Sequence, residues 1–410
     1  MKPFAVWRRL RGFTMLELLV AMSVMALMMV LIGQMFSAVS KSWKSSSGRA
    51  GAFVAARAAF ESMGRNLSQA TLATYLSYAD SYGNPVPLIN PSFKPSSGTI
   101  DRTSVPTQYL RMSELHFLTG RAADLFGYAN ISLLDKPDDP GPVPIGQAVF
   151  FQAPTSFVQA QDNRPKSSLL NVLGYYIEFG NDDAFKPGAV SSLVASRCRY
   201  RLMEVAQPAE RNGIYESTCE VDAGTNLAKY VYDLNWLSKL ILTPPKDSLQ
   251  PLLEKQPLAE NIITMALLPR LSPFQKNDLG EVAKADELTK NFSYDSRGWE
   301  DSKYLAKNGG RSYDPRLRNQ LPPLIELVVV SIDEPSAQRL AQLYGGADGS
   351  SPPFANATVK AAVNLDTLFT NPTQLEDDIK SLEAGLASLQ VSYRIFRTGI
   401  AMHGAKWTDR

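Results

Sequence analysis

The chain has 410 residues, 44% of them apolar, and a formal net charge of +2 from 42 basic and 40 acidic side chains. That length and apolar content suffice to bury a sizeable core. The near balance of interspersed charges excludes the broad basic field that nucleic-acid binding needs. Residues 1–12 form a leader with four positive charges, Lys2, Arg8, Arg9 and Arg11, and no acid. A long apolar run follows. Between residues 18 and 32 nothing is more polar than Ser23, no proline interrupts, and weaker apolar character continues to Met35 and Phe36. As a helix, residues 18–36 would extend roughly 28 Å, enough to cross a hydrocarbon core. The basic leader favours a cytoplasmic N-terminus, although Lys41, Lys44 and Arg49 beyond the span moderate the bias. Glu17 stands at the start of the run, where an unpaired carboxylate costs of order 3 kcal/mol near a helix centre. Trp43, just past the span, suits a membrane interface, as Trp7 does on the inner side.

Residues 41–72 read as continued helix, rich in alanine and free of proline, with Phe53, Phe60 and Leu67 recurring every seven residues. Gly33, Gly48, Gly51 and Gly64 weaken it locally. Residues 80–106 are a loop by composition, with Pro85, Pro87, Pro91 and Pro95 among small polar residues. Strand-like runs follow at 109–118, 147–152, 173–179, 198–205, 262–268 and 324–332. Residues 135–144 read as a rigid proline-rich connector, and 270–323 as a long polar loop. Leu375, Ile379, Leu382, Leu386 and Leu389 fall at helical spacing, and residues 391–398 form a last strand. The expectation is an α+β protein: a long N-terminal helix, a head built on antiparallel sheet, and a C-terminal helix and strand.

Signals for catalysis are sparse, and the reading is of a non-enzyme without cofactor. His116 and His403 lack metal-ligand spacing, and His116, within a strand-like run, reads as a structural residue. No two glycines stand two apart and none precedes a lysine, which leaves no dinucleotide or phosphate loop. Asp138-Asp139 and Asp182-Asp183 are weak calcium candidates that read better as solvated turns. Trp236, Trp299 and Trp407 read as packing residues, with an aromatic binding platform as the alternative.

Three readings of the N-terminus compete. A secretory signal would have a shorter apolar region, and only Ser37-Ala38-Val39 faintly resembles its cleavage site. A plain anchor leaves Gly12-Phe13 and Glu17 unexplained. The third reading rests on Gly12-Phe13-Thr14-Met15-Leu16-Glu17, which resembles the class III signal of type IV pilins and type II secretion pseudopilins. That resemblance implies cleavage between Gly12 and Phe13 by a prepilin peptidase, N-methylation of Phe13, and retention of the helix as an assembly element. It also implies that Glu17 pairs with the freed Phe13 amine on its own or a neighbouring chain. A buried carboxylate needs such a partner.

The implied partners are prepilin peptidase, other pilin or pseudopilin subunits and inner-membrane lipid. The implied location is a bacterial inner membrane, crossed once, with a cytoplasmic N-terminus and a periplasmic head that later joins a filament or pseudopilus. The domains would be a leader (1–12), the transmembrane assembly half of the helix (13–40), its amphipathic half (41–72) and an exported head (73–410). With the leader's four positive charges removed, a net charge of +2 becomes −2. In an oxidising compartment Cys198 and Cys219 are candidates for a disulfide, with two unpaired buried thiols as the alternative.

Phrases through the head resemble the third member of the Verru_Chthon cassette, a pilin-like family without an assigned role. They include Leu173-Gly174-Tyr175-Tyr176, Tyr200-Arg201-Leu202-Met203-Glu204, Leu258-Ala259-Glu260-Asn261, Asn319-Gln320-Leu321-Pro322-Pro323 and Ile332-Asp333-Glu334-Pro335-Ser336-Ala337. The head's size favours a minor subunit. The alternatives are a J-type minor pseudopilin of a type II secretion system, and a membrane-tethered periplasmic binding module or enzyme.

Overall fold

The computed structural model describes residues 14–79, 108–128, 142–155, 169–186, 193–209, 214, 219–221, 228–230, 236–237, 255–271, 288–289, 291–297, 319–346 and 350–406. The chain divides into two compact units, residues 1–51 and 52–410. In order, the elements are α1 (Met15–Ser68), β1 (Tyr75–Ala79), β2 (Gln108–Met112), β3 (Leu118–Arg121), α2 (Ala122–Tyr128), β4 (Val143–Pro154), β5 (Leu170–Gly180) and β6 (Arg199–Gln207). There follow β7 (Cys219–Val221), β8 (Ala228–Tyr230), β9 (Lys255–Glu260), β10 (Ile262–Arg270), β11 (Tyr294–Asp295), β12 (Leu324–Ile332), α3 (Glu334–Tyr344), α4 (Ala357–Ala362), α5 (Leu375–Ser388) and β13 (Tyr393–Ala401). The α+β class expected from the sequence is the one observed.

In the first unit the apolar run forms the stretch of α1 from Met15 to Ser40, 26 residues long and strongly apolar, with Glu17 its one charged residue. At 1.5 Å per residue it extends about 39 Å, more than the hydrocarbon thickness of a bilayer. Leu19, Met25 and Leu31 are among its side chains that are more than half exposed within the chain.

The second unit is built on two main antiparallel sheets, with the two-stranded pairs β1-β2 and β7-β8 beside them in the chain. The larger has strand order β11-β3-β4-β5-β6-β9 and the smaller β10-β12-β13. Alternation along β12 explains how three layers share the head. Ile325, Leu327 and Val329 join one core with Phe60, Met63 and Leu67 of α1 and with Tyr175 of β5. Val328, Val330 and Ile332 point the other way, into a second core with Leu340 of α3, Val359 of α4 and Leu382 and Leu386 of α5. Successive side chains on a strand face opposite sides, so a strand that is apolar at nearly every position is covered on both faces. From residue 52 onward α1 lays a narrow stripe, Ala56, Ala59, Met63 and Leu67, into the first core. Phe60 meets Phe396 of β13 at 5.7 Å between ring centres, and Asn66 donates to the Tyr175 hydroxyl at 2.7 Å.

Asn261 alone carries the chain from the large sheet to the small one. It sits at φ +61°, a region asparagine tolerates better than most residues. Its N–H donates to Tyr200 O (2.6 Å), and its C=O accepts from Ile332 N–H (2.9 Å). Its side-chain amide donates to Glu334 Oε2 (2.7 Å). Burial pushes the Glu334 carboxyl up, but hydrogen bonds from Arg199, Asn261 and Gln338 outweigh this and hold its pKa below the usual range.

Several boundaries differ from expectation. The run 109–118 is two strands, because β2 ends at Met112 and β3 begins at Leu118. Between them the Ser113 hydroxyl accepts from Leu115 N–H (3.0 Å) and donates to Leu72 O (2.5 Å), a local alternative to the ladder. Val143 and Pro144, expected in the connector, begin β4. Helix α3, which was not foreseen, starts at an Asp333 cap whose Oδ1 accepts from Ser336 N–H at 2.9 Å. Most of 270–323 lies outside the described residues, as do 80–106 and 135–141.

Candidate functional site

The N-terminal segment carries the site, and its first turn is a reciprocal cap. Thr14 precedes the helix, and its hydroxyl accepts from Glu17 N–H at 3.3 Å. In return Glu17 Oε2 accepts from both the N–H and the hydroxyl of Thr14, each at 3.0 Å. This is a Thr-x-x-Glu capping box, which satisfies backbone donors that the first helical turn leaves open. Such a cap is worth about 1 kcal/mol. The carboxylate also suits the positive end of the helix dipole. The apolar helix therefore begins at Met15, two residues past the Gly12–Phe13 junction in sequence.

Glu17 meets only Thr14, a neutral partner, among the described residues. A carboxylate at the head of a uniformly apolar helix is tolerable beside water or headgroups. Once such helices pack together in apolar surroundings, it needs a cation. The segment thus combines a membrane-length helix with one acidic group in its first turn. Gly12 and Phe13, the expected cleavage and methylation sites, lie outside the described residues, as do Trp7, Trp299, Trp407 and Asp138-Asp139. Trp43 is largely exposed.

The match to known proteins falls on this same segment: residues 7–33 fit the family model of the prokaryotic N-terminal methylation motif. The segment is therefore a class III prepilin-type signal, of the kind found on type IV pilins and pseudopilins. No curated protein and no solved structure matches the chain. With the apolar helix that follows, the signal supports membrane anchoring and consorting with the prepilin processing machinery.

In the head the other singled-out residues have structural partners. His116 is buried. Its Nε2 lies 2.6 Å from Asp295 Oδ1, and its Nδ1 accepts from Trp236 Nε1–H at 3.0 Å. Burial lowers its pKa, an effect larger than the opposing pull of Asp295. Both ring nitrogens are engaged, and the ring joins three separate stretches of chain. Asp295 and Trp236 were not legible as its partners. Asp182 and Asp183 are bridged by Lys186 Nζ, at 3.0 and 2.8 Å, so an ammonium occupies the place a calcium ion would take. Among the described residues no group of three His, Cys, Asp or Glu is arranged to hold a metal ion. Cys219 is described in β7 by its backbone, so its expected pairing with Cys198 lies outside the described side chains.

A cavity of about 260 Å³ opens between the two sheets, at a kink in β4. The β4–β5 register shifts between Ile145 and Val149, with Gly146 at φ +66°. Next to it, Gln147 Oε1 accepts from Leu267 N–H of β10 at 2.6 Å. Neither this glutamine seam nor the cavity was foreseen, since residues distant in sequence build them.

Proposed function

We propose that this chain is made as a prepilin, cut between Gly12 and Phe13, methylated at Phe13, and built as a minor subunit into a type IV pilus-like filament or pseudopilus. The observation that carries the reading is one continuous arrangement: a match over residues 7–33, a cap that places Glu17 at the head of α1, and a uniformly apolar helix behind it. In this reading the N-terminus stays cytoplasmic until processing, the helix crosses the inner membrane once, and the head is periplasmic. The work is structural rather than enzymatic.

Glu17 has two successive partners in this account. Before assembly its carboxylate rests on Thr14. During assembly the positive Phe13 amine, freed by cleavage, replaces that neutral partner, and only one axial register satisfies both charges. A buried polar residue that sets register has physical precedent in coiled coils. The head's phrases support a relationship to the third member of the Verru_Chthon cassette. The minor role rests on size: some 360 residues beyond the first unit are bulky for repeated shaft packing. Quantifying this chain against other subunits in sheared filament preparations tests it. A small fraction supports a minor subunit, and dominance of this chain contradicts one.

A further inference from the structure

The small sheet has two edges, β10 and β13, and they differ in what covers them. The β10 edge meets the kinked main chain of β4, where Gly146 stands against Met265 and Gln147 takes the Leu267 N–H. Strand β13 pairs with β12 on one side, and among the described residues no strand pairs with its other side. The direction of its peptide groups follows from the hydrogen bonds at its two ends. Before the strand Asp333 N–H donates to Ser392 O, and after it Met402 N–H donates to Pro323 O, each at 3.0 Å. Between them the register with β12 runs without a shift from Tyr393 to Ala401. Alternate residues of an antiparallel strand bond to the same neighbour, so the even-numbered residues face β12. The N–H and C=O groups of Ile395, Arg397 and Gly399 therefore point off the sheet, and among the described residues nothing bonds to them.

Gly399 shows that this edge is open to solvent. It has no side chain, so its exposure is that of the main chain itself. A Cβ built on it would meet nothing within 4 Å. The strand is nine residues long, holds no proline or lysine and has no bulge, so it lacks three of the usual devices that blunt an edge. Its two arginines lie on opposite faces. Arg397 is drawn onto one face by Glu326 and Glu376. Arg394, on the other, is exposed, with its guanidinium 5.7 Å from the Phe53 ring and no acid against it among the described residues. Phe396 shares that face, half-buried beside Phe60 of α1. A strand laid along β13 would meet a cation and then an aromatic ring, two residues apart. A second copy of β13 fits this poorly, because two arginines from each strand and no acid would share the seam.

We propose that β13 is a docking edge for an extended strand of another protein, one that sets a carboxylate opposite Arg394 and an apolar side chain opposite Phe396. The main-chain hydrogen bonds give affinity, and the Arg394–Phe396 face gives side-chain choice. The edge belongs to the fold of the head, so the proposal stands whether or not the chain enters a filament.

The test uses the full chain in nonionic detergent micelles, with saturation-transfer NMR and titration of four peptides. They are acetyl-Thr-Val-Thr-Glu-Thr-Val-Thr-amide, the same peptide with lysine for glutamate, the first peptide N-methylated at every amide, and acetyl-Tyr-Arg-Ile-Phe-Arg-Thr-Gly-amide, which copies β13. The acidic peptide should bind, and its methylated form roughly tenfold more weakly or worse, as loss of main-chain hydrogen bonds requires. The lysine peptide should bind about threefold more weakly, the scale of one cross-strand charge pair, and Arg394→Glu should reverse that order. Gly399→Pro, which removes an N–H that points off the ladder, should weaken the acidic peptide by roughly fivefold or more at an unchanged unfolding midpoint. If Gly399→Pro moves the midpoint, the Arg394→Glu reversal decides alone. Equal binding of the acidic and methylated peptides, binding of neither, or tighter binding of the β13 copy than of the acidic peptide would each overturn the proposal. So would a preference that Arg394→Glu leaves unreversed, or indifference to Gly399→Pro in a folded head.

Discussion

The two ends of α1 treat apolar side chains in opposite ways. Over Met15–Ser40 the helix is strongly apolar, and residues as different in helical phase as Leu19, Met25 and Leu31 are each more than half exposed. From residue 52 the same helix is striped. Ala56, Ala59, Met63 and Leu67 are buried, while Val54 is 68% exposed and Arg57 and Glu61 form a surface pair at 2.8 Å. A stripe calls for one partner face, which the sheets supply. Apolarity all round calls for an apolar solvent or for many identical neighbours. Pattern, more than content, separates a packing segment from an anchoring and assembly segment.

The comparison is broken most severely at Glu17. Glu17→Ala should leave cleavage and head folding intact while cutting recovery in sheared filaments by roughly tenfold or more, the arithmetic of one lost charge pair in apolar surroundings. Immunoblots of sheared and membrane fractions check this. Normal recovery would reduce Glu17 to a helix cap. At the striped end the effect moves to stability. Leu67→Ala should cost the head about 2–5 kcal/mol in chemical denaturation, whereas Leu31→Ala should leave head unfolding unchanged.

How much of this was legible in sequence follows from distance along the chain. The prepilin-type signal is contiguous, so Gly12, Phe13 and Glu17 could be read directly. The helix stripe and the alternation of β12 are likewise local periodicities. Ser113 broke an expected strand because its hydroxyl competes with the ladder, which periodicity does not register. His116 was read as structural, yet its partners lie 179 and 120 residues away, and no spacing rule reaches that far. Gln147 and Asn261 look like ordinary polar residues until two sheets meet at them. The capping box is present in the letters Thr14-x-x-Glu17, but the same glutamate also completes the prepilin-type signal, and letters alone do not separate the two roles.

Smaller effects sharpen the contrast within the head. Gln147→Leu keeps the shape but strands Leu267 N–H at the seam, and should cost about 1–3 kcal/mol of head stability. His116 should make that stability depend on pH. Its folded pKa lies below its ordinary 6.5, so below that pH the unfolded chain binds the extra proton. Stability is then complete above about 6.5 and falls as pH drops towards the folded pKa. Replacing His116 with Gln should flatten this slope in denaturation curves taken across the window; an unchanged slope would assign the dependence elsewhere. At the bottom of the scale, Arg57→Ala should shift stability by no more than about 0.5 kcal/mol, because an exposed i,i+4 pair is worth little.

The central claim, that the apolar helix is kept and its acidic head is given a new positive neighbour by proteolysis, is tested most directly by mass spectrometry of the N-terminal peptide from membrane-embedded protein. The account predicts a chain that begins at methylated Phe13 with the whole of Met15–Ser40 retained. A chain that begins at Met1, or at a residue beyond Ser40, would contradict it.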